Sequence, residues 1–119
     1  MYRIPLDLDL SSVVGEFTTQ VRVGQFDIQF AFGKVNFAVQ SALSLWRDGV
    51  RVGGWEEGRW PDIAFYDVMN TVVTRCEVAN DRLLVIEFEN GLSMHLVDDS
   101  DATESMQITL GDGRPMIVV

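Results

Sequence analysis

The residue types that do most catalytic work are few in this chain and poorly placed to cooperate. His95 is the single histidine and Cys76 the single cysteine. A nucleophilic set would have to draw on Ser93, His95 and Asp98 or Asp99. Closeness in sequence does not make a triad, which is defined by the spatial order of nucleophile, base and orienting acid. Ser93 also lacks the paired glycines that shape a nucleophile elbow. His95 lies between Met94 and Leu96 and alternates away from them, which reads as an exposed strand histidine. Cys76 shares an apolar register with Val78, which predicts a buried structural thiol. A reactive thiolate needs nearby positive charge, and only Arg75 is adjacent. A lone cysteine also excludes an internal disulfide and a cysteine-based zinc site.

Carboxylates and tryptophans are better represented. Asp98-Asp99-Ser100-Asp101 with Glu104 forms the one dense acidic cluster, with Glu56-Glu57 a smaller one. Such a cluster can hold calcium or magnesium, but it lacks the glycine and spacing of an EF-hand loop, so it reads as a solvated acidic loop. Trp46, Trp55 and Trp60 are interleaved with Arg47, Arg51 and Arg59. An Asp48-Gly49 hairpin would set Trp46 opposite Arg51 as a cation–π pair across strands. Tryptophan, tyrosine and arginine are enriched where proteins bind each other, so this region is either a contact surface or a cap on the core beneath a long loop. The residues picked out for partner contact are Trp46, Arg51, Trp55, Glu56, Glu57, Trp60, Asp98, Asp99, Asp101 and Glu104. No catalytic residue, metal ligand or cofactor is assigned.

The elements that must carry these residues are mostly strands. Phe17, Thr19, Val21 and Val23 alternate with polar positions, and Phe26, Ile28, Phe30 and Phe32 do so again after Gly24-Gln25. A two-residue glycine-led loop there is a type II′ hairpin, pairing Val23 with Phe26, Val21 with Ile28 and Phe17 with Phe32. Gly33-Lys34 gives a second such turn, with Phe32 opposite Val35, Phe30 opposite Phe37 and Ile28 opposite Val39. Later, Val72, Thr74, Cys76 and Val78 form one inward set and Leu84, Ile86 and Phe88 the next. A three-residue loop, Glu89-Asn90-Gly91, with Gly91 left-handed, pairs Phe88 with Leu92 and Ile86 with Met94 on a single apolar face. Asp48-Gly49 and Asp112-Gly113 both read as hairpin turns. Pro61 and Asp62 suit the start of a helix, with Ile63, Tyr66 and Met69 or Asn70 near helical spacing.

The two meanders align. Residues 19–23 match 74–78 at an offset of 55, and Phe26, Ile28, Phe30 and Gly33 match Leu84, Ile86, Phe88 and Gly91 at an offset of 58. The expectation is one mainly β domain over 1–119, with pseudo-repeat halves at about 13–54 and 70–119. The two related antiparallel meanders would form a sandwich or a curved, barrel-like sheet, with one short helix near 61–70. A chain of 119 residues, 47% hydrophobic, can bury one real core.

The net charge of −9 is unevenly spread. Residues 1–60 carry seven acids against six bases, and residues 61–119 carry eleven against three. Nucleic acid and anionic membrane surfaces are bound through cations, which this acidic balance does not favour. A basic protein partner, attracted at long range, fits better, although acidity also serves solubility alone. Met1 to Asp7 shows no secretory leader and no apolar run is long enough to span a bilayer, so a cytoplasmic location is expected.

Several turn and core residues resemble a family of small bacterial β-domain proteins known only as a domain of unknown function. They are Val14-Gly15-Glu16-Phe17 through Phe32-Gly33, Phe88-Glu89-Asn90-Gly91, Asp98-Asp99 and Glu104-Ser105. The resemblance runs from about Val13 to Val118 and departs at Thr103, where many members have an aromatic. It implies a fold and no activity. The functional expectation is a small acidic binding module of the inhibitor or immunity type, neutralising a basic toxin or enzyme. A small-ligand or metal-binding β domain is the alternative, and a homodimer joined through strand edges such as Met116–Val119 is a third.

Overall fold

A computed structural model describes residues 3–99 and 104–119. Its strands are β1 (Thr18–Val23), β2 (Ile28–Phe32), β3 (Val35–Val39), β4 (Leu43–Arg47), β5 (Val50–Trp55), β6 (Val73–Asn80), β7 (Leu83–Phe88), β8 (Leu92–Val97), β9 (Met106–Thr109) and β10 (Ile117–Val118). Short 3₁₀ turns at Ser11–Val13 and Ile63–Val68 precede the two meanders. The strands form two antiparallel five-stranded sheets, ordered β1-β2-β3-β9-β10 and β5-β4-β8-β7-β6. They pack as a β-sandwich and do not close into a barrel. No helix among the described residues is long and apolar enough to cross a membrane.

Period-two patterning builds both inner faces. Ile28, Phe30 and Phe32 of β2 and Val35, Phe37 and Val39 of β3 are buried, as are Leu84, Ile86 and Phe88 of β7 and Leu92, Met94 and Leu96 of β8. Phe32 meets Phe37 edge-on at 5.7 Å and reaches across the sandwich to Phe88 at 6.2 Å. The β2–β3 register is the one the sequence predicts, as is Ile86 opposite Met94 after Glu89-Asn90-Gly91, where Gly91 has φ +89°. Asp48 and Gly49 both have positive φ, as a tight β4–β5 turn requires.

Each sheet draws on both halves of the chain. The first meander, β1-β2-β3, is completed by the β9-β10 hairpin of the second half, and the second meander, β6-β7-β8, by the β4-β5 hairpin of the first. Positions 55 apart occupy matching places. Leu10 and Phe65 are buried, as are Val13 and Val68, and left-handed Gly15 (φ +91°) corresponds to left-handed Asn70 (φ +59°). Phe17 and Val72 bridge each other directly. Around them the hydrogen bonds are reciprocal. The Gly15 amide donates to Val73 and the Asn70 amide to Thr18, while the Val73 amide donates to Glu16 and the Thr18 amide to Thr71.

Three expectations are corrected, and the short helix near 61–70 is present in 3₁₀ form. The β1–β2 connection is four residues, 24–27, not two, so Val23 faces Ile28 and Val21 faces Phe30, leaving Phe26 exposed. Both first strands are bulged, at 18–20 and at 73–75. The extra residue turns its hydroxyl to the neighbouring strand: Thr19 Oγ1 donates to the Ala31 carbonyl at 3.0 Å and Thr74 Oγ1 to Glu87 at 3.2 Å. A bulge reverses which face later residues occupy, so Thr18 and Val73 point inward in place of Phe17, Thr19, Val72 and Thr74. The helix near 61–70 is a 3₁₀ turn whose three-residue repeat buries Phe65 and Val68 and exposes Ile63 and Tyr66. Finally, β9 and β10 are joined by a longer loop, 110–116, in which Asp112 accepts from the Arg114 amide and side chain.

Candidate functional site

The two passages between sheets lie at the same end of the sandwich. Residues 40–42 carry the chain from β3 to β4, and the segment after β8 returns it to β9. The passages are tied together, because the Gln40 and Ser41 amides both donate to the Ser105 carbonyl, at 2.8 and 3.2 Å. β5 ends beside them and delivers Glu56 and Glu57. The result is a cleft of about 320 Å³ lined by Gln40, Ser41, Ala42, Glu56, Glu57, Asp99, Glu104 and Ser105.

Among the described lining residues four are carboxylates, two from the segment after β5 and two from the β8–β9 crossing, and none is Lys or Arg. Glu56 has a distant ion pair with Arg59 at 3.5 Å, both half exposed, and Glu104 accepts from Gln107 Nε2 at 3.1 Å. Glu57 and Asp99 have no ion-pair partner among the described residues. The Ser41 hydroxyl at this site is buried and without a hydrogen-bond partner. Among the described residues, no three His, Cys, Asp or Glu side chains converge closely enough to hold a metal ion.

The structure therefore brings Glu56, Glu57, Asp99 and Glu104 together and separates the other residues picked out from sequence. Trp60, 78% exposed, projects from the loop that follows Glu56 and Glu57, beside the β1–β2 turn. Asp101 lies outside the described residues. Asp98 and Trp55 are corrections, since both are buried and cannot meet a partner. Asp98 accepts from Arg3 Nη1 at 3.0 Å and from Ser105 Oγ at 2.9 Å, so its charge is spent inside the molecule. Trp55 sits 2% exposed in the core opposite Leu43, because strand alternation at the end of β5 turns it inward.

The tryptophans do not form one surface. Trp46 and Arg51 are register partners, but the Trp46 ring stacks on His95 at 5.3 Å and its Nε1 donates to Ser44 Oγ at 2.8 Å. The Arg51 guanidinium lies instead over Gly54, in the space a side chain there would fill. His95 is accordingly half-buried rather than exposed, and desolvation lowers its pKa below the usual 6.5. Burial pushes the Cys76 thiol up to about 12, aided by Glu77, which makes it a poor nucleophile. Sequence reasoning missed Ser41 and Gln40. Their signal is weak, a polar pair between two apolar strands, and their role depends on a segment some sixty positions away.

Protein-family models, curated proteins and solved structures give no match to this chain. No residue takes a role from a relative, and the geometry of the cleft stands alone.

Proposed function

We propose that this domain is an acidic binding module that takes a basic protein partner at the cleft between the sheet crossings, in the manner of an inhibitor or immunity protein. The observation that carries the reading is the convergence of Glu56, Glu57, Asp99 and Glu104 on one concave site with no cation in its lining. Like charges held together on a concave wall focus the field outward and raise the encounter rate of a positive partner. They also penalise acidic competitors, so complementary charge yields selectivity as well as speed. Trp60, exposed on the adjoining loop, supplies the kind of aromatic anchor on which binding energy concentrates.

The test compares the immobilised protein with a Glu56→Gln, Glu57→Gln, Glu104→Gln variant against the same native lysate, followed by titration of each purified retained protein. The expected result is a basic protein held by the wild type, released by rising salt and lost by the triple variant. Equal retention by both would remove the cleft from the binding surface and the reading with it.

A further inference from the structure

Matching positions in the two halves show what the cleft lacks. The alternating register places β3 of the first meander on β8 of the second, with Ile28 facing Val39 as Leu84 faces Leu96. Two residues beyond those strand positions stand Ser41 and Asp98, each opening its crossing between sheets. The flanking segments match as well. The Ile4 amide caps the β6–β7 turn at Asp81, and the Gly58 amide caps the β1–β2 turn at Gln25, both at 3.0 Å. The residues just before them are Arg3 and Glu57.

The chemistry at the two places is opposite. In one, Asp98 is fully buried and Arg3 lies on it at 3.0 Å, with Ser105 Oγ completing the carboxylate. In the other, Glu57 stands where Arg3 stands, Ser41 stands where Asp98 stands, and no arginine is present. The Ser41 hydroxyl, on a residue 5% exposed, is left without a partner at the cleft. A buried hydroxyl without a hydrogen bond is costly; the Ser12, Thr18 and Thr71 hydroxyls share that condition, and Ser41 is the one of the four on a residue that lines the cleft.

We infer that the cleft receives the guanidinium of an arginine supplied by the partner, held between Glu57 and Asp99 with Ser41 Oγ accepting from it. This rests on the reading of the cleft as a docking site for a basic protein and specifies its key contact. Among the described residues no three carboxylates close around a point, an arrangement that suits a planar group with spread donors. Guanidinium offers five donors in a rigid fork and sheds water more readily than ammonium, so a half-enclosed site with spread acceptors favours arginine over lysine.

The experiment follows backbone amide shifts by NMR while N-acetyl-arginine-amide or N-acetyl-lysine-amide is titrated into the whole protein. The inference requires saturable shifts at 40–42, 56–57 and 104–105, stronger binding of the arginine compound, and a roughly two- to tenfold loss of its affinity in Ser41→Ala and again in Glu57→Gln. Unchanged melting temperatures in both variants show that the loss is local. Equal response to the two compounds, shifts centred elsewhere, or wild-type affinity in Ser41→Ala would overturn it. If a basic partner is still captured in a manner lost by the triple variant, only the arginine assignment fails and the docking reading survives.

Discussion

His95 shows how one ring contact sets a titration. Packed on Trp46 in the middle of the outer sheet face, the imidazole loses water, and the loss falls on its charged form. The unfolded chain therefore binds this proton more readily than the folded one. Stability from neutral His95 is fully present above pH 6.5 and declines as pH falls through the lower folded midpoint. NMR titration of the ring is expected to give a midpoint below 6.5. In thermal melts, His95→Gln is expected to flatten that part of the fall in melting temperature between pH 7 and pH 5. A ring midpoint at or above 6.5 would contradict the desolvation argument. Alternation identified the face that His95 occupies, but not that a tryptophan on β4 would cover it, because β4 and β8 become neighbours only in the finished sheet. Asp98 was illegible for the same reason, its partner being Arg3 at the far end of the chain.

At the scale of elements, local signals were reliable where a turn is short. Gly33-Lys34 and Glu89-Asn90-Gly91 each fix a register from which inner faces follow by alternation, and Asp48-Gly49 sets the pairing of Trp46 with Arg51 before the register shifts between Trp46 and Leu45. The bulges at Thr19 and Thr74 were not legible, because an extra residue reverses the faces without changing composition. Phe17 consequently lies half exposed where alternation would bury it. The approach to each bulge depends on one left-handed residue, glycine in the first half and Asn70 in the second. Asparagine tolerates that conformation and β-branched residues do not. Asn70→Gly is expected to shift unfolding free energy by only a few tenths of a kcal/mol, whereas Asn70→Val costs about 1–2 kcal/mol. Urea denaturation of the three proteins checks this. Equal midpoints for Asn70→Val and wild type would mean that the turn relaxes freely.

For the whole molecule, the contact of the half-buried Arg3 with the buried Asp98 joins the N-terminal segment to the crossing between β8 and β9. Truncating the Asp98 carboxylate leaves the buried Ser105 hydroxyl without its acceptor and removes the 3.0 Å contact to Arg3, and an unsatisfied buried polar group costs about 1–3 kcal/mol. Asp98→Ala is expected to destabilise by about 1–3 kcal/mol, and Asp98→Asn by less, since an amide oxygen still accepts from Ser105. The Ile4 amide, bonded to Asp81 on the same strap, is expected to exchange faster with solvent in Asp98→Ala than in wild type. Calorimetry and hydrogen exchange test the two effects separately. Stability unchanged in Asp98→Ala would show that the strap is held by other contacts.

The exchange of hairpins between the halves also governs when the fold can exist at all. Phe37 of β3 pairs with Ile108 of β9, 71 positions downstream. A ribosome adding residues at about 5–20 per second needs roughly 4–14 s to supply that strand after its partner emerges. Throughout that interval the first meander has a bare β3 edge, and the β4-β5 hairpin has no sheet to join until β8 has emerged. Neither half of the nascent chain can rehearse the final structure alone. The protein must stay clear of other chains while it waits for β9 and β10, and the first sheet closes only once those strands have emerged.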